Sequence, residues 1–293
     1  MRVVLFHSGK ELPSYLECTF KQFRLFNPTM PVYFLTDYNH LENPLFAKYS
    51  IIAVNKDEYY SEKIIYFERL FGRSSSDFWT LAATRLIYIE NFMRIRVMQD
   101  VYHFENDVLI YYKLEEYNSI FKRFPGIAIT IGGPDKCMTG FSFFKDAKVL
   151  RHMIDYFIHL LEDNGLEGTK RKYKLDMVNE MTLMRVYSSD ADSKIIPLPT
   201  MPVSPMNINL DKFGSLFDPA SWGQFIGGTQ GEGPGAMLKD HYIGLFLRAQ
   251  MEIHLTWVYV DHLRVPCFIY NGEAWRINNL HIHSKNLHLY LSK

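Results

Sequence analysis

The stretch from Met1 to Asp37 leaves few choices of fold. Met1-Arg-Val-Val-Leu-Phe-His7 reads as a short apolar strand, followed at once by Ser8-Gly9. Leu12 to Phe26 then carries helical signals, with Pro13 and Ser14 near its start and Asn27-Pro28 as its stop. Val32-Tyr-Phe-Leu35 makes a second strand that ends at Thr36-Asp37. A strand, a helix and a strand in such close succession demand a parallel pair joined by a right-handed crossover. The expectation is an α/β fold with a mixed, mainly parallel central sheet flanked by helices. Open parallel sheets bind ligands beyond the carboxyl ends of their strands. That makes His7, Ser8, Gly9 and Asp37 candidate ligand-binding residues. No Gly-x-Gly-x-x-Gly follows the first strand, which argues against a dinucleotide cofactor.

A second strand end carries charge. The segment Asp100 to Tyr112 is an apolar strand running into Glu105, Asn106 and Asp107. Residues two apart on an extended chain point to the same side, so Glu105 and Asp107 can converge on one point. Two carboxylates that close repel unless a cation or a shared proton lies between them. A hard ion such as Mg²⁺ or Mn²⁺ relieves the repulsion and takes phosphate oxygens as further ligands. The bland alternative is a solvated loop, since Glu-x-Asp triplets after strands are common.

The triplet has informative neighbours. Phe78 to Met93 is an amphipathic helix, with Leu81, Leu86, Ile89 and Phe92 or Met93 near helical spacing and Arg85 among them. Downstream, Gly132-Gly133 and Gly140-Phe-Ser-Phe-Phe144 bracket another apolar strand. This order resembles the nucleotide-sugar-binding half of GT-A fold glycosyltransferases, whose acidic triplet is the DxD motif, here with Glu105 in place of the first Asp. The resemblance implies that Glu105 and Asp107 hold Mn²⁺ or Mg²⁺ against the donor's diphosphate, with Asn106 and Arg85 also on the donor. It implies a UDP- or GDP-sugar donor and a glycan or glycoprotein acceptor, as in small soluble enzymes of bacterial or viral surface-glycan pathways. It covers residues 1–145, the nucleotide-sugar-binding half, and a short element near the chain end. It implies that residues 146–293 form the acceptor-binding half of the same continuous domain.

That short element is Asn278 to Lys285. His281 and His283 stand two apart in what reads as a short strand, on one face. Either suits a metal, with Lys285 as a point charge for phosphate; a His pair at a sheet edge with a surface Lys is the alternative. The resemblance favours His283 as ligand, with His281 in reserve and Lys285 gripping the diphosphate. His283 is then expected to titrate near the usual imidazole value of about 6.5, and the segment from Asn279 onward to be separable from the α/β core.

The middle of the chain is less specific. Pro197 to Pro205 reads as a rigid connection. Asp218 is a plausible N-cap with Pro219 at the first helical position. Trp222 and Gln224 are candidate sugar contacts, although Trp222 is equally plausible as core. The glycines from Gly227 to Gly235 mark a mobile loop of the kind that orders over a donor. As a phosphate cradle it lacks the Gly-Lys-Ser/Thr ending of a P-loop. An inverting transferase needs a general base for the acceptor hydroxyl. A helix over Leu175 to Met184 offers Asp176 and Glu180 as an i,i+4 pair, and the resemblance favours Glu180. Both can equally be solvated helix carboxylates. Retaining transfer needs no such base, so the stereochemistry stays open.

Composition narrows the function classes. Apolar residues are 47% and charged residues 22% of the 293, ordinary for a globular chain with a full core. The 32 basic and 32 acidic residues cancel and leave no electrostatic footprint for nucleic acid. Lys170 to Lys174 reads as a solvated basic loop. Three widely spaced cysteines, without a C-x-x-C pair, look like small buried residues. No signal peptide precedes the first strand and no run approaches the ~20 apolar residues needed to span a membrane. The expectation is a soluble, cytoplasmic protein, in the host cytoplasm if viral. Two rival classes remain. A sugar-nucleotidyltransferase usually has a glycine-rich phosphate loop where this chain has only Ser8-Gly9-Lys10. A non-catalytic sugar-nucleotide-binding module would have little need to keep Glu105, Asp107, His283 and Lys285 together.

Overall fold

A computed structural model describes residues 1–71, 77–229, 233, 241–249 and 254–293. Its first strand, β1 (Arg2–Phe6), pairs in parallel with β2 (Val32–Thr36), which pairs in parallel with β3 (Ile52–Asn55). The other edge of β1 takes β4 (Gln99–Phe104), also parallel. A short strand, β5 (Val108–Ile110), leaves the plane after β4. The sheet continues through β6 (Ile127–Ile131), β7 (Cys137–Asp146) and β8 (Ile195–Leu198), giving seven strands in the order β3-β2-β1-β4-β7-β6-β8. Only β7 runs against its neighbours, β4 and β6. The expected mixed, mainly parallel sheet is present.

Alternation along β1 explains why it is apolar throughout. Val4 and Phe6 face a cluster built on the helices Asp77–Ile95 and Ala147–Tyr173, including Leu86, Phe92, Met153 and Phe157. Val3 and Leu5 face the opposite cluster, with Leu16, Phe20 and Phe23 of helix Leu16–Phe26. A strand covered on both faces cannot alternate with polar residues.

A third cluster lies below β5. It joins Leu109 and Tyr111 to Trp222, Phe268, Leu280 and Ile282. Its roof is the antiparallel meander β9 (His254–Val260), β10 (Leu263–Tyr270) and β11 (Glu273–Arg276). The last strand, β12 (Asn279–His281), pairs antiparallel with β5 and so lies beside the acidic triplet.

Several local expectations need correction. The first helix begins at Leu16, and Pro13 and Ser14 lie in the turn before it. Pro197 sits within β8, where an edge strand can lack a backbone donor. Lys170 to Tyr173 form the last turn of helix Ala147–Tyr173, and Lys174 caps it in the left-handed region at φ 55. The helix expected over Leu175–Met184 begins only at Glu180. Asn179 caps it by accepting from the Thr182 amide at 3.0 Å while Thr182 Oγ1 accepts from Asn179 N. Asp176 is therefore in the loop before that helix, and the i,i+4 pairing with Glu180 does not form. Most of the glycine-rich stretch after Gly227 lies outside the described residues. Among the described residues no helix is long and apolar enough to cross a membrane.

Candidate active site

A cleft of about 590 Å³ opens at the carboxyl ends of β1 and β4, and it draws residues from the whole length of the chain. Its wall holds His7, Ser8, Arg85, Glu105, Asn106, Asp107, Glu180, His281, His283 and Lys285. This volume falls in the usual range for a small-molecule site.

The acidic triplet occupies a tight turn, not an extended strand. The Val108 amide donates to Glu105 O at 3.0 Å, closing the turn, and the Glu105 amide donates to Gly140 O at 3.1 Å. Asn106 Nδ2 donates to Phe6 O at 3.0 Å, and Asn106 O accepts from Thr19. The turn brings the two carboxylates to one place, and the group between them is His281. Its Nε2 stands 3.1 Å from Asp107 Oδ1 and 3.5 Å from Glu105 Oε2. Glu105 is held further by Arg85 Nη2 and Thr139 Oγ1, each at 2.9 Å. Asp107 pairs with Lys285 as well. In this state the repulsion foreseen from the sequence is relieved by protonatable side chains.

The titration behaviour follows. Burial works against the Glu105 carboxylate, but Arg85 and His281 overcome it and hold its pKa at about 2. Asp107 also lies well below the ordinary carboxylate value despite burial, through His281 and Lys285. Burial opposes the imidazolium of His281, yet Asp107 and Glu105 raise its pKa above 6.5. His283 moves the other way: burial and the neighbouring His281 push it down to about 3. The expectation that His283 titrates near the usual imidazole value is therefore overturned.

Asp107, His281 and His283 can each place one ligand atom so that all lie within 4.8 Å of one another. Ligands bound side by side at about 2.1 Å from one ion stand about 3 Å apart, matching the 3.1 Å between Asp107 and His281. A donor set of one carboxylate and two imidazoles suits Mn²⁺ better than Mg²⁺. Glu105 stands outside this set.

His283 lies in the turn after β12, yet its ring centroid is 4.2 Å from that of His281. Gln224, offered above as a sugar contact, is buried and bonded through Nε2 to His283 Nδ1 at 2.8 Å. That bond holds the ring, while Gln224 Oε1 makes no hydrogen bond among the described residues. Trp222 takes the core alternative: it is fully buried, its ring 4.8 Å from that of Phe268 and its Nε1 donating to Thr200 O.

Asp218 is more than a helix cap. The helix it serves is Trp222–Gly227, and Pro219 lies before it instead of at its first position. Buried Asp218 accepts from the amides of Ser221, Trp222 and Gly223 at 2.6–2.9 Å, and from the His281 amide at 2.9 Å. One carboxylate thereby ties that helix to β12. The close approach needs glycine twice. A Cβ at Gly223 would lie 2.1 Å from His281 O, and one at Gly140 would lie 2.7 Å from His281 Nδ1.

Glu180 lines the cleft from the start of its helix and is 3% exposed. Burial, only partly opposed by Arg85, raises its pKa to about 7. Its Oε2 makes no hydrogen bond, and neither do Arg85 Nε, Asn106 Oδ1 and His281 Nδ1. Buried polar groups are normally paired, and a polar ligand in this cleft would supply partners for such atoms. Asp176 is exposed and does not line the cleft. His7 and Ser8 do, whereas Gly9 and Asp37 bond to each other at 2.8 Å, with Lys56 3.1 Å from Asp37.

Sequence reasoning passed over Tyr15, Thr139 and the aromatic pair Phe78 and Trp79, all at the cleft. Tyr15 lies under the Lys285 ammonium, 5.5 Å from ring centroid to Nζ. Thr139 was not legible because its place depends on the pairing of β4 with β7.

No protein-family model and no curated protein matches the chain. Among solved structures, mouse xyloside xylosyltransferase 1 in its apo form is similar with a TM-score of 0.50 at 8% identity, over 68% of this chain and 84% of that one. The galactosyltransferase LgtC, in complex with donor and acceptor sugar analogs, gives a TM-score of 0.43 at 15% identity over 68% and 73%. The first of these, together with the strand order and the cleft at the ends of β1 and β4, supports one conclusion: the chain has the GT-A fold.

Proposed function

We propose that this protein is a metal-dependent glycosyltransferase, moving a sugar from a nucleotide-diphosphate donor to a hydroxyl acceptor. The observation that carries the reading is the convergence, in one cleft of a GT-A fold, of Asp107, His281, His283 and Lys285 with the buried carboxyl of Glu180. The fold it shares with a xylosyltransferase is consistent with sugar transfer.

Asp107, His281 and His283 are the residues that would hold Mn²⁺, which when bound supplies Lewis-acid stabilisation of the diphosphate. Lys285 adds a positive charge at the same end, released from Asp107 once that carboxylate has another partner. Its backbone lies in the left-handed region at φ 63, a conformation kept at some cost for a non-glycine residue. Glu180 accepts the proton of the acceptor hydroxyl. That oxygen forms a bond to the anomeric carbon, and the bond from this carbon to the diphosphate breaks, its electron pair leaving with the nucleotide. A base is most effective when its pKa lies near the working pH, and a value of about 7 meets that condition.

The test is isothermal calorimetry with UDP and GDP in the presence of Mn²⁺ and of EDTA, followed by assay of transfer from their sugars. Mn²⁺-dependent binding that is lost in Asp107→Ala and weakened at least tenfold in His283→Ala is expected. Equal affinity with EDTA, or in both variants, overturns the metal assignment. Tight nucleotide-sugar binding without transfer or hydrolysis assigns the chain to the binding modules.

A further inference from the structure

The lining of the cleft changes in chemistry along helix Asp77–Ile95. Arg85 meets Glu105, close to Asp107, His281, His283 and Lys285, whereas Phe78, Trp79 and Leu81 lie one to two turns before it and, with Met181, supply the apolar lining. Glu180 lines the same cleft, next to Met181 in sequence and within electrostatic reach of Arg85 and Glu105. Phe78 lines the cleft and is 66% exposed, so its ring is open to a ligand. Its ring stands 4.9 Å from that of Trp79 at 75°, forming an angled aromatic corner. Trp79 and Leu81 pack their inner sides on the core, so that side of the corner is backed by the fold.

We propose that this corner is the acceptor subsite, and that the acceptor is an uncharged sugar ring. The inference rests on the glycosyltransferase reading and adds the substrate class. A pyranose has one face of C–H groups and a rim of hydroxyls. The face packs on the aromatic corner, and one hydroxyl reaches Glu180 Oε2, a buried oxygen that makes no hydrogen bond to the protein. An aliphatic chain would leave that oxygen and Arg85 Nε unpaired, which is costly for buried polar groups. An anionic sugar would set its charge against Glu180, the carboxyl of this wall that has no salt-bridge partner among the described residues, Glu105 being paired with Arg85. The donor's diphosphate belongs with Lys285 and the histidines.

Saturation-transfer NMR with the metal-free protein and no nucleotide tests this directly. The probes are the p-nitrophenyl β-pyranosides of xylose, glucose and galactose, with the glucuronide as the charged control. At least one neutral glycoside is expected to bind, and the glucuronide at least tenfold more weakly. Phe78→Ala should weaken the neutral glycoside about tenfold, the size of one aromatic contact, while Mn²⁺-dependent UDP or GDP affinity is unchanged. Phe78 is exposed, so this variant is expected to fold; Trp79→Phe is the second variant, and it should raise the acceptor KM with little change in kcat. Neutral glycosides that fail to bind, a preferred glucuronide, or a Phe78→Ala effect confined to nucleotide affinity would each overturn the subsite. Loss of nucleotide binding in the unmodified protein, with glycoside binding retained, would instead count against the glycosyltransferase reading alone.

Discussion

Glu180 sits at the first position of its helix, buried, with a carboxyl whose pKa is raised to about 7. An unfolded glutamate gives up its proton near 4.5, so between 4.5 and 7 the folded chain binds more protons than the unfolded one. The contribution of Glu180 to stability therefore falls as pH rises through that window, whereas His283, held low, acts in the opposite sense below 6.5. Glu180→Gln removes this dependence: melting curves at pH 5 and pH 8 should show the variant gaining on the parent at the higher pH. The same variant should lose about 10³-fold in kcat, the scale of a lost general base, with nucleotide affinity kept. Unaltered kcat would remove Glu180 from the chemistry. Glu105 and Asp107 act in the opposite sense, their pKa values being depressed, and their contribution is lost only at lower pH, as each protonates. Arg85 is first of all the partner of Glu105. Arg85→Ala should cost about 2 kcal/mol in urea denaturation, because Glu105 loses its nearest cation while retaining some contact with water. A change under about 0.5 kcal/mol, typical of an exposed pair, would make Arg85 a donor contact only.

At the scale of elements, the site depends on how closely β12 can approach its neighbours. Asp218 binds the start of helix Trp222–Gly227 and the His281 amide at once, and Gly223 lets the two backbones meet. Gly223→Ala forces a Cβ against His281 O, where neither backbone can yield, and should cost about 3 kcal/mol. Gly168→Ala is the contrast. It lies in the first turn after the break of helix Ala147–Tyr173 at Gly165 (φ 62), where a Cβ meets only Asn164 Cβ at 3.3 Å, and the change should stay within about 1 kcal/mol of zero. Chemical denaturation of both variants tests the contrast; equal effects would mean that the β12 junction is not tight.

For the whole molecule, the end of the chain is structural as well as functional. The expectation that the segment from Asn279 could be removed without loss of the core does not survive. Leu280, Ile282 and Leu287 are fully buried in the third cluster, β12 pairs with β5, and Ser292 exchanges hydrogen bonds with Gln22 of the first helix. Truncation before Asn279 should abolish cooperative unfolding, as followed by near-ultraviolet circular dichroism and thermal melting. A truncated chain that still melts in one sharp transition would show the segment to be an independent appendage.

Much of this protein was determined locally. The apolar run Val3 to Phe6, the helix after it and the run Val32 to Leu35 required a parallel pair, because no short turn could join those strands otherwise. The acidic triplet and the His-x-His-x-Lys run were visible as residue types fit for a metal and a phosphate. What local pattern could not fix was who meets whom. Glu105 and Asp107 converge through a turn set by Gly140 and Phe6 on other strands, not by strand alternation. Asp176 and Glu180 were separated by the Asn179 cap, and Trp222 and Gln224 were drawn inward by packing on Phe268 and His283. His281 came to lie between the carboxylates because β12 pairs with β5, across most of the chain's length. Its pKa and that of His283 then moved apart through burial and neighbouring charge, which are properties of a place in space and not of a position in a sequence.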